Sequence, residues 1–158
     1  MTEIYSSGIV ESELSRNGSF ASVTKGVSMR PLFSTCRDMI VVKPLASPPK
    51  KYDVVLYRGA GGEYILHRII KVRDDLYIIR GDNTYSKEYV PKDAVIGVLT
   101  SFNRKGKSGS PASFSFKLYS RLWNFIYPLR YLYVKGISVL RRIYRKIFKN
   151  FFKNFKKK

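Results

Sequence analysis

Between Phe20 and Phe102 the apolar residues come in six short β-rich runs: Phe20 to Lys25, Met39 to Lys43, Asp53 to Arg58, Tyr64 to Val72, Leu76 to Arg80 and Ala94 to Phe102. Each is bounded by Gly, Pro, Asp or Asn, the residues that end strands. Runs this short cannot be long helices, so this part of the chain is expected to be mainly β. Ser47-Pro48-Pro49-Lys50-Lys51 and Gly59-Ala60-Gly61-Gly62 read as turn segments, and Asp74-Asp75 as a tight turn between two strands. Ahead of the first run, Ser7 is placed to cap a short helix over residues 8–17, with Gly18 as its C-terminal stop.

The pattern changes after residue 102. Asn103 to Ala112, NRKGKSGSPA, has the composition of a flexible linker. Beyond it apolar residues recur at helical spacing, from Leu118, Leu122, Phe125 and Ile126 through Leu129, Leu132, Tyr133 and Ile137 to Phe155. Pro128 would break one continuous helix but can open a second at its first turn, so two amphipathic helices are expected. The 158 residues thus divide into a domain over 1–102, a linker over 103–112 and a helical tail over 113–158.

Charge follows the same division. The chain carries 30 Lys and Arg against 11 Asp and Glu, a net charge of +19, and no acidic residue follows Asp93. In the tail, Trp123 and the aromatic stripe lie with Arg141, Arg142, Arg145, Lys146, Lys149 and Lys153 on other faces, the make-up of a helix resting on anionic lipid. Unopposed cations also neutralise nucleic-acid phosphates, but the many large apolar residues of the tail argue against that partner. A solvated helix packed on the body is a further reading of the tail.

No stretch reaches 18 uninterrupted apolar residues, and the first 20 residues are partly acidic and lack an apolar segment. Neither a cleavable signal nor an N-terminal anchor is expected, so membrane contact should be interfacial or borrowed from a partner's membrane helix, and the basic tail would place it on a cytoplasmic leaflet. With one cysteine, Cys36, and one histidine, His67, no disulfide can form within the chain and no Cys/His cluster can hold zinc. No cofactor is expected.

Gly26-Val27-Ser28-Met29-Arg30-Pro31 places a serine at a turn shaped by a flexible glycine before it and a fixed proline after it. A serine becomes a nucleophile only with a base in reach, and the sole histidine is the available one. From these residues alone a plain turn serine and a packed or solvated histidine are the commoner reading.

Four segments in order carry a resemblance. GVSMRP resembles the serine box of signal peptidase I, YDVVLYR the strand that follows it, LHRIIKV the box of the general base and IIRGDNT the Gly-Asp-Asn box. The resemblance spans Gly26 to Thr84, most of the body. It implies the β fold shared with the self-cleaving repressor peptidases, with Ser28 as nucleophile and His67 as base, as in the Ser-His branch of archaea and the endoplasmic reticulum. Asp82 would orient or balance the histidine, and Glu88 falls where that branch has a second carboxylate, usually aspartate. The oxyanion would meet the Ser28 backbone N–H, Gly26 has no side chain to supply a second donor, and Val27, Met29 and Leu66 flank the site.

The family normally has a transmembrane anchor before the serine box; here the 27 residues that precede Ser28 hold no apolar segment, and the tail is expected to replace the anchor. The implied function is a serine endopeptidase acting on a polypeptide precursor with a leader or signal segment. A self-cleaving regulator would need a DNA-binding domain and a lysine base. A non-catalytic membrane- or nucleic-acid-binding module that keeps the fold and attaches through the tail is a further alternative, against which Ser28, His67 and Asp82 together argue.

Overall fold

The computed structural model describes residues 8–155, with side-chain surroundings as far as residue 145. The chain runs α1 (Ile9–Asn17), β1 (Phe20–Val23), β2 (Met39–Lys43), β3 (Val54–Arg58), β4 (Tyr64–Val72), β5 (Leu76–Arg80), β6 (Glu88–Pro91), a 3-10 turn at Lys92–Ala94, β7 (Val95–Arg104), β8 (Lys107–Gly109), α2 (Phe114–Phe125) and α3 (Tyr127–Phe155). The strands form one antiparallel sheet in the order β1-β2-β7-β3-β4-β5-β6, with β8 on β7. A mainly β class therefore holds. Gly18 stops α1 in the left-handed region at φ +63°, which a residue without Cβ adopts freely. Gly8 takes the N-cap position without a side-chain bond, and Ser7 lies outside the described residues.

Alternation along the central strands builds two apolar clusters. Val54, Leu56, Tyr64 and Leu66 face one way, joining Val10 and Leu14 of α1 and Met29, Leu32 and Phe33 of the loop after β1. Val55, Tyr57, Ile65 and Ile69 face the other way, with Tyr77, Ile79, Val90 and Val95. Both faces are covered, which is why β4 reads as a nearly continuous apolar run rather than an alternating one. Each fully buried aliphatic or aromatic side chain contributes roughly 1.5–3 kcal/mol.

The expected linker is not one. Asn103 and Arg104 continue β7, and Lys105-Gly106 turns the chain into β8, which pairs back on it. Lys105 and Gly106 both have positive φ, as a tight two-residue hairpin turn requires. The Gly/Lys/Ser composition was the signature of this turn. The compact body extends through Arg121, because Phe116 and Ser120 of α2 are buried in it.

A separate helical unit begins at Leu122. The two expected helices are present, and Pro128 stands in the first turn of α3, where its missing N–H costs nothing. Leu129, Leu132, Tyr133, Leu140 and Tyr144 are exposed along α3. Among the described residues no helix is long and apolar enough to cross a membrane.

Candidate active site

Ser28 sits in the loop joining β1 to β2. Gly26, at φ +78°, turns the chain into it, and two bonds close the turn: Arg30 N–H to the Val27 carbonyl at 3.1 Å and Phe33 N–H to the Met29 carbonyl at 3.0 Å. Buried Met29, Leu32 and Phe33 pin the turn to the core. His67 is in the middle of β4, opposite Val55 of β3. These two residues, 39 apart in sequence, meet: His67 Nε2 lies 2.9 Å from Ser28 Oγ. Both are almost wholly buried.

The other ring nitrogen has two partners. Nδ1 is 3.0 Å from Glu88 Oε1 and 3.2 Å from the Tyr57 hydroxyl oxygen, while the Tyr57 hydroxyl donates to Glu88 Oε2. These contacts fix the tautomer. A carboxylate only accepts, and a hydroxyl that donates its hydrogen to Glu88 can only accept from the ring, so in the neutral imidazole the proton belongs on Nδ1. Nε2 is then left as the acceptor facing Ser28, the form a general base requires. The hydrogen bond to His67 holds the Glu88 carboxyl below its ordinary range, against the opposing effect of burial and with help from Tyr57. Burial, followed by the bond to Glu88, pushes the Tyr57 phenol up, so it stays a neutral donor.

Asp82 serves differently from the expectation. The polar partners of His67 are Ser28, Tyr57 and Glu88, whereas Asp82 takes a two-pronged bond from Arg68, with Nε and Nη2 each at 2.8 Å. Arg68 follows His67 in β4 and so points to the opposite face. Its guanidinium is fully buried and also donates to the Tyr52 carbonyl at 2.9 Å and to Ser120 Oγ at 2.6 Å. The rings of Phe116 and Tyr119 lie 5.3 and 5.7 Å from it, and the Tyr119 hydroxyl donates to Asp82 at 3.0 Å. The carboxylate that orients the histidine is Glu88. Asp82 anchors its own loop to β4 and α2.

The flanking residues of the Gly-Asp-Asn segment act on the site directly. A Cβ on Gly81 would lie 2.7 Å from the Ser28 carbonyl oxygen and 2.9 Å from His67 Nε2, so only glycine fits beside the pair. Asn83 donates its backbone N–H to the Ser28 carbonyl at 2.7 Å and its side-chain amide to the Val27 carbonyl at 3.3 Å.

Two of the expected substrate contacts are corrected. Met29 and Leu66 are in the core, at 3% and 0% exposure, and present no surface to a ligand; Val27, at 50%, is open. Leu66 adjoins His67 in sequence, but alternation sends it to the other side. The residues on the histidine's own face line a cleft of about 730 Å³ that contains Ser28 and His67, with Tyr57, Ile65, Val90 and Ala94 supplying apolar walls. Tyr57 and Arg68 were not anticipated. A charged side chain within the apolar run YILHRIIKV is the available signal for Arg68, since a buried guanidinium must be paired.

In the helical unit the Arg130 guanidinium lies 3.7 Å from the centre of the Trp123 ring, and Arg141, Arg142 and Arg145 are exposed. Lys146, Lys149 and Lys153 fall outside the residues whose side chains are described. Among the described residues no cluster of three or more His, Cys, Asp or Glu could hold a metal. The chain matches no protein-family model and no curated protein sequence.

Proposed function

We propose that this protein is a serine endopeptidase of the signal-peptidase type, cleaving leader or signal segments from precursor proteins while held at an anionic membrane surface. The observation that carries the proposal is the 2.9 Å approach of Ser28 Oγ to His67 Nε2, with Glu88 on the far ring nitrogen. The order of roles is that of a Ser-His-carboxylate triad.

In this reading Nε2 takes the hydroxyl proton as Oγ bonds to the scissile carbonyl carbon. The oxyanion is met by the Ser28 backbone N–H, a kind of donor worth about 100-fold or more in rate. Glu88 stabilises the imidazolium through Nδ1–H. Nε2 returns the proton to the leaving amine as the C–N bond breaks. Water, activated by the same base, then clears the acyl-enzyme. Tyr57 holds the longer glutamate side chain in place by fixing the oxygen that the imidazole does not use.

Membrane attachment is assigned to the helical unit. Its exposed Leu and Tyr side chains and unopposed cations suit an interfacial helix, with each Lys or Arg contributing about 1 kcal/mol near an anionic surface.

The test is Ser28→Ala and His67→Ala in a processing assay with a membrane-inserted secretory precursor, each expected to remove nearly all cleavage. Processing by both variants at the wild-type rate would end the proposal. An acylating inhibitor that labels Ser28 in the wild type and not in His67→Ala separates a working enzyme from a binding module on the same fold.

A further inference from the structure

The cleft that contains Ser28 and His67 also contains a carboxylate that the chemistry does not use. Glu63 immediately precedes β4, and the bond from Gly59 N–H to its carbonyl at 2.7 Å carries the β3–β4 ladder one step further. Alternation therefore puts Glu63, Ile65 and His67 on one face, and all three line the cleft. At about 3.3 Å per residue, Glu63 stands about 13 Å along the strand from the base.

Three observations set this carboxylate apart. It makes no hydrogen bond or ion pair among the described residues, while the other charges along the cleft are engaged: Glu88 with His67, and Arg58 with Glu11 at 4.0 Å. Its seat is cleared for it, since a Cβ on Gly59 would lie 2.6 Å from Oε1 and one on Gly61 2.6 Å from Oε2. Its field also reaches the cleft wall, because after burial and Glu88 it adds to the forces that push the Tyr57 phenol up. Between Glu63 and His67 the wall is apolar, formed by Ile65 and Tyr57.

We infer that Glu63 is a specificity-determining residue that receives a Lys or Arg side chain of the substrate about four residues from the scissile bond. The inference rests on the peptidase reading. An extended peptide lying along β4 advances at the same rise per residue as the strand, so a cation four residues from the reacting carbonyl meets Glu63 while smaller or apolar side chains cover Ile65. A half-buried pair of this kind favours the cationic peptide by about three- to fivefold, less at high salt.

The experiment uses the full-length Ser28→Ala protein and labelled ten-residue alanine-rich peptides with one lysine at each position in turn, beside a matching glutamine set. Binding is read by fluorescence anisotropy. Lysine at one position is expected to tighten binding three- to fivefold over glutamine, Glu63→Gln to erase the difference and Glu63→Lys to reverse it. Equal binding of the two sets, or a lysine preference that survives Glu63→Gln, overturns the inference. Cleavage of the same peptides by the protein with Ser28 intact is scored separately. Glu63-dependent binding without cleavage retains the subsite and removes the peptidase; cleavage with no lysine preference does the opposite.

Discussion

His67 and Arg68 are neighbours in the chain and face opposite sides of β4, and each is matched by one carboxylate. On one side the imidazole meets Glu88, whose side chain is one-third exposed, along an open cleft. On the other the guanidinium meets Asp82, both at 2% exposure or less, under a lid made by Phe116, Tyr119 and Ser120. The bonds are of similar length and the surroundings are not. An ion pair sealed from water is static, held because releasing either partner leaves a bare charge in an apolar interior. A pair at the edge of a cleft can change its protonation as a ligand arrives. Two adjacent side chains thus differ in setting, one anchoring a loop in a sealed interior and the other facing an open cleft, where the proposed reaction would have it carry the proton.

The sharpest way to break this division is Arg68→Ala. Asp82 would be left buried and uncompensated, and the protein should lose about 3–5 kcal/mol, read by urea unfolding. The fraction that remains folded should keep its rate of Ser28 acylation. If stability hardly moves and acylation stops, the two sides of β4 have been assigned the wrong way round.

The converse substitution is Glu88→Gln. It should change stability little and lower kcat on the order of 100-fold or more, because an amide can donate to Nδ1 and favour the wrong tautomer. Tyr57→Phe should follow with a smaller effect, about tenfold in kcat at unchanged KM, the scale of one hydrogen bond to a charged group. The smallest effect is on pH. The native carboxyl of Glu88 titrates below its unfolded value, so its contribution to stability is full above the ordinary carboxylate range and is lost as pH falls through the native value. The difference in melting temperature between wild type and Glu88→Gln should therefore shrink on acidification from pH 6 to pH 3. A difference that is constant with pH would mean that Glu88 is not held as an anion by His67.

Much of the sheet is legible in the sequence because its central strands are long enough for apolar runs to stand out. β2, β4 and β5 span the residues their runs mark, and Gly18 stops α1 where a glycine should. β6 is not legible. It has four residues, starts on a charge, ends on proline and buries only Val90, so no periodicity can build up in it. That short edge strand presents Glu88, paired in register with Ile79 of β5. The resemblance points to Asp82 and Glu88 alike, and the sheet register is what brings Glu88 rather than Asp82 to the imidazole. Tyr57 is hidden in the same way, since its hydroxyl meets a residue 31 positions away. Composition misleads at residues 103–109, where glycine, lysine and serine make a hairpin turn rather than a tether.

α2 belongs to the body through Arg121 and reaches the helical unit before it ends. Phe116, Tyr119 and Ser120 are wall material for the chamber around Arg68, although the charge pattern groups them with the basic, apolar residues that follow. The place to shorten this chain is therefore not where its composition changes. Trimming after Ala112 would unroof a guanidinium; trimming after Arg121 would leave the chamber closed and remove Trp123 and all of α3.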